Sequence, residues 1–403
     1  MARATLTSIT PRRSSNRTAT ATPTQQTHKD ASTSTSPSPA KAKRKAADTI
    51  LTKSSLKTGP SEAASNSAID TEASASASAS ASASALPTPA NKLRKKAVSV
   101  SDSSSAPKSD DTTADPSLPK NSEMPPTLSY PRPSAPGSVR IASWNITSLK
   151  SSEAKGMMRY IEAENADIVV LSETKVNDAP MHHALTKLYK HQYWGIGKQK
   201  GYAGLAILSK IQPLKAVYGL PGLNHQDTKG RIVTLEFENT FLVGTYAVNA
   251  GEGLKTMATK QAWNAALATY LAELDAQKPV IWTGDLNVVQ DERDLAAASK
   301  KWNKSPGYTA IECDAHRRLL QGKATPASKP LVDVWRQKHP DAVGHYTFYG
   351  WRGFCRSKGI GWRLDSFILS ERIASKALEC EIRHECYGAS DHVPIYCDIE
   401  GPL

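Results

Sequence analysis

The sequence predicts an α/β layered domain carried behind a long low-complexity segment, and three observations lead there. Apolar runs with strand character recur from residue 139 onward, interrupted by a helical run. All eight tryptophans and all five cysteines fall at or after Trp144. Residues 1–138 are instead dominated by Ser, Thr, Ala and Pro, with Ser and Ala alternating over 73–85 and Tyr130 the sole aromatic residue.

So little apolar mass cannot offset the entropy lost on ordering a chain. Residues 1–138 are therefore expected to form a disordered tail, and 139–403 a single domain of catalytic size. Two basic clusters, KAKRK at 41–45 and KLRKK at 92–96, have the composition of nuclear-import signals. The first 28 residues, free of acidic side chains and containing Arg3, Arg12, Arg13 and Arg17, also resemble a mitochondrial transit peptide. A nuclear protein with a mitochondrial pool is the expectation.

The tail holds 18 Lys and Arg against 10 Asp and Glu, a charge of +8 within the total of +13. The remainder is then 51−18 = 33 basic against 38−10 = 28 acidic residues, or +5. Two basic halves suit a polyanionic partner, although +5 alone is ordinary for a domain of this size. Cys313, Cys355, Cys380, Cys386 and Cys397 are odd in number and show no CxxC spacing, so neither a disulfide framework nor structural zinc is expected. No spanning apolar segment or secretory signal is visible, so an intracellular, reducing compartment and no membrane partner are expected; a monomer is the expected state.

Taken in order, the strand-like runs are 139–146, 167–173, 204–209, 231–237, 240–248, 279–288, 363–370 and 393–399. The fourth and fifth, separated by Glu238 and Asn239, read as a hairpin. Between the fifth and sixth, Trp263, Leu267, Leu271 and Leu274 recur at spacings of four, four and three and form one buried helical face. Mixed sheets with helices outside follow.

Polar residues collect at the ends of these strands. Asn145 ends the first and Glu173 the second; Tyr246 and Asn249 close the fifth. Asp285 and Asn287 end the sixth, and Asp391 and His392 open the last. Any one of them would pass as a cap or turn residue. Five strand ends together describe a cleft in which a sheet holds side chains rigidly.

Such a set supports metal-assisted hydrolysis of a phosphodiester. Mg²⁺ needs only one or two carboxylates, such as Glu173 and Asp391, and keeps several waters. Asp285, flanked by Asn287, is placed to hold and deprotonate the attacking water. His392 is placed to donate to a phosphate oxygen and to offset developing charge. A histidine in that role needs its other nitrogen fixed, and Asp365, a carboxylate inside the apolar run LDSFILS, is the natural partner. Trp362, Leu364 and Phe348 are candidate walls of an apolar slot beside the phosphate, and would serve equally as core packing.

IASWNITSLK, DIVVLSETK, GYAGLAILSK, KGRIVTLEF, TYAVNAG, WTGDLNVVQDERDL, RSKGIGWRLDSFILS and SDHVPI occur in this order over 140–399. Together they resemble the exonuclease III family of apurinic/apyrimidinic (AP) endonucleases, within the endonuclease–exonuclease–phosphatase superfamily. SETK and GWRLDSF point to the abasic-site branch. The resemblance implies a four-layered α/β sandwich, two mixed β-sheets packed face to face and flanked by helices. It also implies Mg²⁺-dependent (or Mn²⁺-dependent) incision of double-stranded DNA 5′ to an abasic site, leaving a 3′-hydroxyl, with 3′–5′ exonuclease or 3′-phosphodiesterase side activities.

Carried over, Glu173 is the main metal ligand, with Asn145 and Asp391 near it, and Asp285, Asn287 and His392 border the metal. Asp285 activates water. Tyr246, Asn249 and His392 contact phosphate, and Asp365 partners His392. Phe348, Trp362 and Leu364 form the pocket for a flipped, baseless sugar.

Some positions depart from the family pattern. Thr147 stands where Asp or Asn is usual and brings no carboxylate to a metal. Ala247-Val248-Asn249 replaces the usual Pro before Asn, and Glu252 is acidic where some relatives place Arg against DNA. No zinc-binding extension follows the last strand. Two alternatives stay open: a catalytically weakened DNA-damage-binding protein, motivated by Thr147, and a superfamily phosphodiesterase acting on another substrate. Removal of residues 1–135 is expected to leave incision intact.

Overall fold

The fold alternates short strands with helices and turns, and twelve of those strands assemble into two sheets. A computed structural model describes residues 124–132 and 135–403. The strands are β1 Ser138–Asn145, β2 Ile168–Ser172, β3 His191–Gly195, β4 Leu205–Ser209, β5 Lys215–Tyr218 and β6 Ile232–Glu236. They continue as β7 Phe241–Tyr246, β8 Val280–Asp285, β9 Leu331–Asp333, β10 Asp365–Ser370, β11 Ala377–Ile382 and β12 Ile395–Glu400. One sheet has the order β11-β12-β1-β2-β4-β3 and the other β5-β6-β7-β8-β10-β9. Each is antiparallel except for one central parallel pair, β1–β2 and β7–β8. β6 and β7 form the expected hairpin.

The apolar runs of the central strands are continuous because both sheet faces are covered. Side chains alternate between them. Ile141, Val170 and Ile207 of the first sheet meet Val233, Leu242, Ile281 and Phe367 of the second in the central core. Ala142, Trp144, Val169 and Leu171 face outward under helices Leu149–Ala154 and Met157–Glu164, against Leu149, Tyr160 and Ile161. On the far side Ile232, Val243, Trp282 and Ile368 pack against Trp263, Leu267, Leu271 and Leu274 of helix Met257–Gln277. These layers make the four-layered α/β sandwich.

Residues 124–132 pack on the domain although their composition predicts no fold. Met124 is buried in the outer cluster beside Trp144 and Tyr160, and Leu128 and Tyr130 pack against it. The Tyr130 hydroxyl donates to Glu385 at 2.6 Å, and Arg132 pairs with Asp167 at 2.8 Å. Three apolar anchors in so short a stretch are too few to register as composition, yet enough to dock it. The basic clusters at 41–45 and 92–96 lie outside the described residues. Among the described residues, no helix is long and apolar enough to cross a membrane.

Candidate active site

The two parallel pairs bring polar strand ends to one edge of the sandwich. In the first sheet Asn145 pairs in register with Ser172, so β1 and β2 finish together and Glu173 follows at once. In the second, Tyr246 and Asp285 pair at the ends of β7 and β8. β10 runs the other way and starts at this edge, which sets Asp365 opposite Asp285. Asp391 and His392 arrive just before β12. Sequence-distant residues thus meet because of strand direction and register.

The backbone is contorted here. Thr147, Glu173, Lys175 and Asn287 all hold positive φ, between 48° and 58°. Such conformations cost about 1–3 kcal/mol each in a non-glycine residue and collect at functional sites. Gly284 lies at φ 132°, and a Cβ there would come 1.9 Å from the Thr245 carbonyl oxygen. Only glycine lets β8 approach β7 closely enough to deliver Asp285.

The Asn145 amide joins the two sheets. Its Nδ2 donates to Glu173 Oε1 at 3.1 Å and to Asp285 Oδ2 at 3.0 Å. The Asn287 N–H donates to Asp285 Oδ1 at 2.9 Å, and Asn287 Nδ2 donates to the Ala247 carbonyl at 3.0 Å. Asn249 Nδ2 in turn donates to Asn287 Oδ1 at 2.8 Å. His392 presents Nδ1 to Asp365 Oδ2 at 2.8 Å, while its Nε2 lies 4.0 Å from Asp285 Oδ2.

Charge and burial sort the roles. Burial raises Asp285, with Asp365 and Glu173 adding to it and His392 opposing, so that its carboxyl is pushed up to about 7. A buried carboxylate this poorly stabilised is a capable proton acceptor near neutral pH. Burial opposes charge on His392, but Asp365, Asp285 and Asp391 outweigh it and raise the imidazolium to about 10. Glu173 also loses solvation; hydrogen bonds from Lys175 (2.8 Å) and Asn145 more than compensate and hold it below the usual carboxylate range. Burial, together with Glu173 and Asp285, lifts the Tyr246 hydroxyl far above its ordinary value, so it remains an O–H donor.

The oxygens that would hold a cation are those of Glu173, Asp391 and the Asn145 side chain, which here accept from Lys175, Thr147 and the Asn145 amide. Among the described residues no group of three or more His, Cys, Asp and Glu makes a metal cage. An all-oxygen set with two carboxylates fits a hard divalent cation that keeps much of its water. His392, whose Nδ1 is held by Asp365, has only Nε2 left to meet a cation or a phosphate oxygen. Thr147 lies beside Asp391 instead, donating to its Oδ1 at 2.7 Å, with Ser390 Oγ 2.8 Å from its hydroxyl.

Phe348 and Trp362 pair through their backbones, and the Phe348 ring lies 4.9 Å from that of His392. Both are partly buried and pack with Leu295, Tyr308 and Leu364 in a cluster of their own. Leu364 is 8% exposed and belongs to the buried part of that cluster. A groove of about 950 Å³, lined by Lys198, Tyr202, Arg231, Tyr246 and Asn249, leads to the site.

Sequence reasoning missed several supports. Lys175 carries a signal in retrospect, since it follows Glu173 by two residues. Ser390 accepts from the His392 N–H and donates to the Asn145 carbonyl at 2.7 Å. Thr347 Oγ1 accepts from the amides of Leu364 and Asp365, and nothing in its surrounding sequence marks it.

The profile of the Endonuclease/Exonuclease/phosphatase family matches residues 142–392. Exodeoxyribonuclease of Bacillus subtilis (strain 168) is 36% identical over 258 residues, covering 64% of this chain and 98% of that protein. A DNA-(apurinic or apyrimidinic site) endonuclease of Dictyostelium discoideum is 36% identical over 260 residues, 64% of this chain and 69% of its own. Among solved structures, the 3′ phosphatase NExo from Neisseria, bound to product DNA hairpin, is similar with a TM-score of 0.58 and 26% identity. That match covers 65% of this chain and 100% of the other. With its sandwich fold and strand-end acid–base set, the chain belongs to the endonuclease/exonuclease/phosphatase family, in the exonuclease III-like branch of AP endonucleases.

Proposed function

We propose that the protein is a Mg²⁺-dependent AP endonuclease of base-excision repair, acting as a monomer on duplex DNA. It hydrolyses the phosphodiester 5′ to an abasic site and leaves a 3′-hydroxyl. The observation that carries this reading is the opposition of Asp285 and His392, 4.0 Å apart and each buried, on a frame shared by both sheets.

Asp285, oriented by Asn145 and Asn287, holds the attacking water and takes its proton. The His392 imidazolium, fixed by Asp365, donates to a nonbridging phosphate oxygen. The Tyr246 hydroxyl and the Asn249 amide donate to the same phosphate from the other side. A divalent cation held by Glu173 and Asp391, with Asn145, would polarise the phosphate and stabilise the leaving oxygen. Phe348 and Trp362 offer a narrow apolar slot beside His392. A baseless sugar unstacks cheaply and enters such a slot, whereas an intact nucleotide is too large. The basic clusters at 41–45 and 92–96 support nuclear location.

A labelled duplex carrying one stable abasic-site analogue tests this, with Mg²⁺ or EDTA and an Asp285→Ala control. A single Mg²⁺-dependent cut 5′ to the lesion, absent in the control, is the expected result. Binding without cutting would instead mark a damage-binding protein.

A further inference from the structure

Behind the active-site edge, helix Met257–Gln277 sends one cation inward. Lys260 is 1% exposed, and its Nζ donates to the main-chain carbonyls of Leu286 at 3.0 Å and Asn287 at 3.3 Å. These two residues immediately follow Asp285. Burial lowers the Lys260 ammonium to about 8, and Glu312 and Asp285 favour its charge only from longer range. Burying a cation this way is costly, and a methionine or leucine would fill the same space without that cost.

The segment it holds has reason to need holding. Asn287 sits at φ 48°, in the left-handed region. Its N–H must meet Asp285 and its side-chain amide must meet Ala247 and Asn249 at the same time. A cavity of about 20 Å³, room for about one water, lies against this backbone, lined by Ala247, Trp263, Leu286, Val288 and Glu312, so the packing behind it is incomplete.

We infer that Lys260 is a positioning residue: its ammonium pins the Leu286 and Asn287 carbonyls so that the Asp285 carboxylate and the Asn287 amide face the attacking water in register. This rests on the AP endonuclease reading for its effect on rate, but the pinning itself is independent of any activity.

The test compares wild type, Lys260→Met and Lys260→Arg in three ways. Hydrogen exchange reports order in 284–290, EDTA titration reports affinity for uncleaved abasic duplex, and single-turnover incision reports the rate. All are run well below each variant's unfolding temperature. Expected for Lys260→Met are exchange in 284–290 faster by about tenfold, unchanged exchange in the central strands and unchanged DNA affinity. Incision falls by about 10²-fold, the scale of a small misplacement of reacting groups. Lys260→Arg recovers most of both losses. Wild-type exchange in 284–290 for Lys260→Met would overturn the inference, as would wild-type incision by that variant. A wild-type protein that fails to cut would sink the nuclease reading alone, and exchange would still decide the clamp.

Discussion

His392 Nδ1 meets Asp365 Oδ2 at 2.8 Å, and the two residues are 4% and 1% exposed. Asp365 interrupts an apolar strand only because this imidazole receives it. Removing the negative charge while keeping the shape, as in Asp365→Asn, leaves buried His392 only Asp285 and Asp391 to favour its proton. Incision is expected to fall by about 10²-fold or more, within the range for lost acid–base assistance. The loss belongs in kcat, since Asp365 is 1% exposed and acts through His392. A wild-type kcat would refute the pairing's role.

The pH profile follows from the same groups. Asp285 acts as the carboxylate, populated above about 7, and His392 as the imidazolium, populated below about 10. kcat/KM should rise through pH 7, hold a plateau and fall as pH passes 10. In Asp365→Asn the alkaline limb moves to lower pH, because the first support of the imidazolium is gone. A profile flat between pH 6 and 8 would contradict the Asp285 assignment, and a wild-type alkaline limb well below pH 10 the His392 assignment.

Thr147 supports Asp391 rather than replacing a ligand, at the expense of holding a β-branched residue at φ 58°. Thr147→Asp sets two carboxylates face to face. The unfolding temperature should drop in EDTA and be restored by Mg²⁺, with cation affinity increased about tenfold through added ligand charge. Incision at saturating Mg²⁺ should change little. A calorimetric scan identical with and without Mg²⁺ would rule this out.

Residues 124–132 pack on the domain, so removal of 1–135, expected to leave incision intact, should still lower stability. Deleting 1–123 should leave the unfolding temperature unchanged. Deleting 1–135 removes Met124 and Tyr130 from the outer cluster, and should cost about 3 kcal/mol, the scale of losing one large buried side chain. Denaturant midpoints of the two truncations decide this.

Gly284→Ala should be among the most damaging single changes in the domain. The Cβ would press on the Thr245 carbonyl in a backbone conformation that alanine avoids. Soluble yield and near-UV circular dichroism should both collapse. A folded, active variant would mean that β7 and β8 separate more easily than their register suggests.

Much of this was legible in the sequence. The eight strands read from apolar runs are the eight interior strands of the two sheets. The four that escaped, β3, β5, β9 and β11, are the four edges. HQYWG and KAVY are half exposed, and LVD is three residues long. Edges pair on one side only, so they carry a weaker apolar signature. Strand-end carboxylates were visible because a charge against an apolar run stands out. Lys260 and Thr347 were not, since each acts through backbone atoms far along the chain. The docked segment 124–132 was hidden by the composition around it.

The Asn145 amide spans the two sheets to reach Asp285, so the spacing of the sandwich is itself a dimension of the active site. That spacing is set in the core beneath the site, at positions such as Gly244, where a Cβ would meet Val170 at 2.9 Å and Ile207 at 3.2 Å. Filling that point would wedge the layers apart and separate halves of a catalytic set that no single sheet contains. In this architecture the central core works as a gauge block, and silent-looking changes within it can detune the enzyme without touching a catalytic residue.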